Sequence, residues 1–386
     1  IDRRAQGRPT VNVEGLNALT QLAEVYRQEG RYQEARDLLS GVIQTALQLG
    51  EVDVSYTAKS YLGRVLNDEG DFGRAQLVTE EVVDYGVSHW QDRPLNIMNT
   101  LLELGAIYQH QGKLADAEAT YEEAFQGLAG LVGDFHPSTI VALNNLGQVY
   151  EQEGIYDEAE PALKEALQRF EQVLGPDNPQ TANARNNLAL LHESQGNFRE
   201  AEPLYLETLA YLEDTLGPDH SNTIAVKNNL AFLYMLMEDY EMSAGMFAEV
   251  RDQWTVLFGE DHQNTMKAMN NLGRVYRRMG SLTDAEQLLL RALELRRSVL
   301  GEQHLDTIRS LIDLGVLYLD QDRLQEAETM LADALSRAEA GLGEHHPYTF
   351  DALNALARVT EAQGALGAAL DTRQTGFNRR REFLDR

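Results

Sequence analysis

Thr139-Ile-Val-Ala-Leu-Asn-Asn-Leu-Gly-Gln-Val-Tyr-Glu-Gln-Glu-Gly154-Ile-Tyr-Asp-Glu-Ala-Glu160 decides the reading of the whole chain, because it returns 42 residues later as Thr181-Ala-Asn-Ala-Arg-Asn-Asn-Leu-Ala-Leu-Leu-His-Glu-Ser-Gln-Gly196-Asn-Phe-Arg-Glu-Ala-Glu202. Outward from this pair, the same turn position falls at Gly30, Gly70, Gly112, Gly154, Gly196, Glu238, Gly280, Asp322 and Gly364. The first step is 40 residues and every later one is 42. A fixed period of that size marks a stacked array of one supersecondary unit, whose core lies between neighbours.

Each period holds two helices. Ile140, Leu143, Leu146, Gly147 and Tyr150 recur at steps of three and four, and so do Tyr156, Ala159, Leu163, Ala166, Leu167, Phe170 and Val173 beyond the Gly154 turn. Small residues at Gly63, Gly105, Gly147, Ala189, Ala231, Gly273, Gly315 and Ala357 permit close approach of the paired helices. The spacing predicts an all-α chain: a right-handed superhelical α-solenoid of about nine helix-turn-helix units and no strand. The units fall near 12–50, 53–92, 94–133, 136–175, 178–217, 220–259, 262–301, 304–343 and 346–386, as one solenoid over 1–386. The basic tail, with Arg373, Arg379, Arg380, Arg381 and Arg386, reads as a capping helix. The chain begins at Ile1 without Met, which leaves open whether it is a fragment of a longer protein.

The pattern Leu-Gly/Ala-x-x-Tyr followed by Gly-x-Tyr-x-x-Ala resembles the tetratricopeptide repeat. Asn144-Asn-Leu-Gly, with Leu174-Gly-Pro-Asp-Asn-Pro-Gln-Thr181 between units, narrows the resemblance to the longer repeats of kinesin light chains and related signalling arrays. It covers 12–375. In kinesin light chains, first-helix Asn residues hold a cargo peptide's backbone and basic residues read its acidic side chains. On that resemblance Asn145, Asn187, Asn229 and Asn271 would grip backbone, while the first Asn of each pair would be structural. The heptad segment of the light chains is absent.

Composition narrows the partner. With 43% hydrophobic and 24% charged residues and 9 Pro, the chain is an ordered one. Sixty-one acidic against thirty-three basic residues give −28, which opposes nucleic-acid binding. There is no Cys, no apolar run near 18 residues and no basic-then-apolar leader, so no disulfide, thiolate metal site or membrane span is expected, and a cytoplasmic location is.

His136, His220, His262, His304 and His346 form a column that could be taken for a metal or catalytic ladder. Asn178 holds the same place in one unit, and Pro137, Pro179 and Pro347 follow where a helix would start. Helix N-capping fits both facts. Successive copies would stand roughly 20 Å apart, two helix diameters, too far to share an ion. Recurrent Glu pairs such as Glu151 and Glu153 have no His, Ser or Cys companion and read as solvated faces. No phosphate loop, zinc signature or nucleophile elbow is present. No catalytic residue, no metal and no cofactor is expected.

At 100° per residue, the first-helix positions opposite the core stripe are Val141, Asn145, Gln148 and Gln152, and their equivalents in later units. These include apolar Leu190, Phe232 and Leu236, then Lys267, Arg274, Arg278 and Arg309. The expected function is a non-catalytic protein- or peptide-binding scaffold that holds an extended, apolar-plus-acidic segment along a concave groove. Its partner is a protein or peptide, with homo-oligomerisation open. The alternative is a regulatory or spacer array of a larger signalling protein, in which those cations pair with acidic neighbours or meet the chain's own effector domain.

Overall fold

The computed structural model describes residues 12–344 and 346–384. Among them there are eighteen α-helices and no strand. The chain divides into two compact units, 1–196 and 197–386. The first holds α1 (Val13–Gln28), α2 (Tyr32–Leu49), α3 (Val52–Glu69), α4 (Phe72–His89), α5 (Pro94–His110), α6 (Leu114–Val132), α7 (Pro137–Glu153), α8 (Tyr156–Leu174) and α9 (Pro179–Ser194). The second holds α10 (Phe198–Leu216), α11 (Ser221–Leu236), α12 (Tyr240–Phe258), α13 (Gln263–Arg278), α14 (Leu282–Val299), α15 (Leu305–Asp320), α16 (Leu324–Gly341), α17 (Pro347–Ala362) and α18 (Leu366–Leu384). Within each unit every helix packs on the next, and each odd-numbered first helix also touches the first helix of the adjoining hairpin. Each unit is therefore a stack of helical hairpins, a stretch of α-solenoid.

The turns explain why the period is so regular. All nine ruler positions have positive φ, including Glu238 at 64° and Asp322 at 60°, where a side chain is disfavoured and glycine is the usual solution. Glycine at the other seven sites meets that requirement without strain.

The linker between hairpins is a second fixed piece. Nδ1 of His136, His220, His262, His304 and His346 accepts the backbone N–H two residues on at 3.1–3.3 Å, and Asn178 Oδ1 does the same at 2.9 Å. Those histidines are N-caps, as the Asn178 substitution implied. One residue further along, Thr139, Thr181, Thr223, Thr265, Thr307 and Thr349 are fully buried, and each donates its hydroxyl to the carbonyl of the Gly six residues back at 2.8–2.9 Å. Cap and hydroxyl together satisfy backbone groups that a helix start leaves over.

The core runs between the helices of each hairpin. A Cβ on Gly105 would lie 2.6 Å from Tyr121 Cε1, on Gly147 2.7 Å from Leu163 Cγ, and on Gly315 2.5 Å from Leu331 Cγ. Small residues there set the inter-helix distance. In α18, Arg379 pairs with Glu339 at 2.5 Å and Arg373 with Glu361, so these tail cations tie the last helix down. The Arg380 side chain and Arg386 lie outside the described residues. No helix among the described residues is long and apolar enough to cross a membrane.

Candidate ligand-binding surface on the first helices

Stacking brings residues about one period apart into contact on neighbouring first helices, and in 12–196 these contacts close on themselves. Gln21 Nε2 donates to Tyr61 Oη at 3.0 Å, and Arg27 pairs with Asp68. Arg64 Nε donates to Glu103 Oε1 at 2.5 Å, while Ser60 Oγ donates to the other oxygen at 3.2 Å. Burial pushes the Glu103 carboxyl up despite the neighbouring Arg64. This pair borders a cavity of about 190 Å³ lined also by Trp90, Asn96 and Asn99. Further on, Asn187 Nδ2 donates to Asn144 Oδ1 at 3.2 Å and Ser194 Oγ to Glu151 Oε1 at 2.5 Å.

In 197–386 the same register carries charge. Asp313 on α15, with 13% of its side chain exposed, sits at the hub. It accepts from Asn270 Nδ2 at 2.7 Å, and its carboxylate is 3.8 Å from Arg274 Nε and 3.4 Å from Arg309 Nε. Arg309 also reaches Asp351 at 3.6 Å. Arg277 and Arg358 share Asp320, at 2.5 and 3.8 Å. Burial lowers the Arg274 pKa, opposed by Asp313; at Arg309 burial is outweighed by Asp313, Tyr348 and Asp351, and the pKa rises. The Arg274 guanidinium lies 5.9 Å from the Phe232 ring centre, and that of Arg309 5.3 Å from Tyr348.

The residues singled out from sequence thus have different situations. Asn187 and Asn271 are buried, at 5% and 8% exposure, whereas Asn145 and Asn229 are half-buried. Burial follows the expected division between a structural first Asn and an outward second Asn at Asn144 and Asn145, draws no distinction within Asn228–Asn229 or Asn270–Asn271, and reverses it at Asn186 and Asn187, where Asn187 is buried and bonded to Asn144. The cause is the ladder between first helices, which recruits the second Asn as well. Leu190 and Phe232 are half-buried and Leu236 is exposed. The four strip cations split two and two: Arg274 and Arg309 are held by Asp313, while Lys267 and Arg278 are exposed and make no ion pair among the described residues. Sequence reasoning passed over Asp313, Arg64 and Glu103, although each stands about one period from its partner. Among the described residues no group of three or more His, Asp or Glu could hold a metal ion.

A family model described as tetratricopeptide repeat matches residues 96–165, 150–214, 222–297, 268–340 and 317–382, and a second of the same description matches 18–53. The chain belongs to the tetratricopeptide-repeat family. No curated protein matches its sequence. Among solved structures, the tetratricopeptide array is similar to the quorum sensor NprR of B. thuringiensis, at 12% identity and a TM-score of 0.64 over 95% of this chain and 99% of that one. It is also similar to a Rap protein solved in complex with Competence and Sporulation Factor, at 13% identity and a TM-score of 0.56 over 93% and 100%. BtubC (BKLC) of P. vanneervenii matches at 24% identity over 61% of this chain and 93% of that one, with a TM-score of 0.49. At these identities the likeness concerns the fold.

Proposed function

We propose that this tetratricopeptide array is a non-catalytic scaffold that binds an extended protein segment on its first-helix faces. The segment carries apolar anchors and acidic groups, and the acidic groups meet the first helices of 197–386. The observation that carries this reading is on α13. Four cations stand there, Arg274 and Arg277 are committed to Asp313 and Asp320, and Lys267 and Arg278 are left exposed and unpaired on a chain of charge −28. In an acidic protein an unpaired cation has many nearby carboxylates to choose from, so two on one helix favour a partner from outside. Leu236 and half-buried Phe232 on α11 supply apolar surface in the same unit. A Rap protein of this fold is solved with a bound factor, which is consistent with a binding role.

The test is capture of partners on the whole chain, read by mass spectrometry, followed by titration of a captured segment and of a version with its Asp and Glu neutralised. Changing Lys267 and Arg278 together to Glu is expected to weaken the acidic segment about tenfold or more while leaving the neutralised one unaffected. The melting temperature should hardly move, because exposed charges contribute little to folding. Equal weakening of both segments, or none, removes the reading.

A further inference from the structure

The pair of Arg64 and Glu103 has a counterpart in the repeat. Five 42-residue periods further on, Arg64 becomes Arg274, Glu103 becomes Asp313, Ser60 becomes Asn270 and Asn99 becomes Arg309. Every member of the Asp313 hub therefore has an equivalent around Glu103, and three of the four keep their chemistry: a guanidinium, a carboxylate and a neutral hydrogen-bond donor. The fourth does not. Where α15 carries a second guanidinium, α5 carries the short neutral amide of Asn99.

The contacts follow one plan up to that point. Arg274 approaches Oδ1 of Asp313, while Asn270 and Arg309 both meet Oδ2, at 2.7 and 3.4 Å. Arg64 likewise meets Oε1 of Glu103, and Ser60 donates to Oε2 at 3.2 Å, but Oε2 has no second partner among the described residues and Asn99 makes no side-chain hydrogen bond among them. Beside this carboxyl lies the cavity of about 190 Å³, walled by Tyr61, Trp90, Asn96 and Asn99. Charge is out of balance in the same direction: on α1 and its neighbouring first helices, Arg27 and Arg64 face Glu24, Asp68 and Glu103, two cations to three carboxylates. Burial, with a contribution from Glu24, holds the Glu103 carboxyl above its usual range against Arg64 and Ser60, so the charged form is short of compensation that a further cation would give.

We infer that this cavity is a guanidinium subsite: a guanidinium from outside the chain enters it and takes, on Glu103, the place that Arg309 takes on Asp313. The planar group donates along one edge to Glu103 Oε2 and along another to the amide oxygens of Asn96 and Asn99, and the rings of Tyr61 and Trp90 wall a site that suits a weakly hydrated cation. The volume takes the cationic head and the first carbons of its chain. A free guanidino compound and an Arg side chain of a bound segment share that chemistry, and only the second source rests on the scaffold reading.

Ethylguanidinium chloride is the probe, added to the whole protein with sodium chloride at equal ionic strength as control. Of the two tryptophans, Trp90 borders the cavity and Trp254 does not. Trp90 is buried, and its Nε1–H donates to Asp53 Oδ1 at 3.1 Å. That indole N–H resonance, told from the other by its persistence in Trp254→Phe, should move saturably with ethylguanidinium and stay still with sodium chloride, while the Trp254 resonance stays still with both. Ethylammonium, a point charge without the planar fork, should bind about tenfold more weakly or worse. Asn99→Arg places on α5 what α15 carries at Arg309, so it is expected to melt no lower than the parent and to abolish the response. Glu103→Gln, which keeps the volume and removes the charge, should weaken binding about tenfold or more. A Trp90 resonance indifferent to ethylguanidinium overturns the subsite, and so does an Asn99→Arg protein that binds the probe as the parent does. Equal binding of ethylammonium overturns it too, since the site would then answer to charge alone. Free arginine in place of the probe and, separately, a captured segment with its Arg changed to Gln tell which source fills the site. A Trp90 response with no captured partner keeps the subsite and removes the scaffold reading; a captured partner with Trp90 indifferent to ethylguanidinium does the reverse.

Discussion

The first-helix faces of 12–196 and of 197–386 are built on one register and filled differently. In the former, contacts one period apart stay small: amide with amide at Asn187 and Asn144, and at Glu103 one guanidinium, that of Arg64, with the Ser60 hydroxyl. In the latter, Asp313 gathers Asn270, Arg274 and Arg309, and Asn270 passes the connection on to Arg296 and Ser310. The repeat dictates where side chains meet; residue identity at each meeting decides whether the contact is a tie or a network with charge left over.

Removing the hub should separate the two regions most. Asp313→Ala leaves two half-buried guanidiniums and the Asn270 amide without their common acceptor, at about 2–4 kcal/mol. Asn187→Ala, which breaks one neutral hydrogen bond, should cost about 1 kcal/mol. Urea unfolding of both variants checks the contrast, and equal losses would break it. The packing column offers the control: Gly105→Ala and Gly315→Ala meet Tyr121 and Leu331 at similar distances, so each is expected to lose about 1–3 kcal/mol by overpacking. A large difference between those two would mean that the regions differ in their cores and not only on their faces.

The smallest effect concerns the caps. Burial holds the His262 and His346 imidazoles below their ordinary value, and each caps through a neutral Nδ1. A depressed folded-state pKa means the unfolded chain takes up the proton first. Their stabilisation is therefore complete above the ordinary histidine pKa of 6.5 and fades as pH falls through the lower folded value. His262→Asn with His346→Asn should flatten the fall in melting temperature on acidification below neutrality, while the value at pH 8 stays within the effect of one cap, about 1 kcal/mol each. Asn178 already shows the non-titrating form of the same cap in 12–196. An unchanged pH profile would show that other groups govern acid sensitivity.

The period, the helix pairs, the turns and the histidine caps were legible because each recurs, and a column exposes its own exceptions: Asn178 explained the histidines, and Glu238 and Asp322 take the glycine conformation that the ruler assigned them. The surface was less legible. Helical projection finds the face but not the partner on the next hairpin, so Asn187 was placed on the outward face although it is buried, and the pairing of Arg274 and Arg309 with acidic neighbours stood only as an alternative, with Asp313 unnamed as the partner. The buried guanidinium of Arg296 could have been noticed in the same way. A charged residue after Leu128, Phe170, Leu212 and Trp254 is visible at 42-residue spacing without any structure.

The threonine-to-glycine link between hairpins has a consequence at the level of the gene. Gly259, Gly301 and Gly343 open three linkers that share one cap, one hydroxyl bond and one length. Excising the 42 codons for Gly259 to Leu300 joins Phe258 to Gly301, and the splice restores a linker of the same chemistry with every later residue in phase. The protein is thus editable in whole periods, as a sentence is by clauses. This cut would take out Lys267, Arg274 and Arg278 at once, leaving a shortened array as the blank against which their combined contribution can be read.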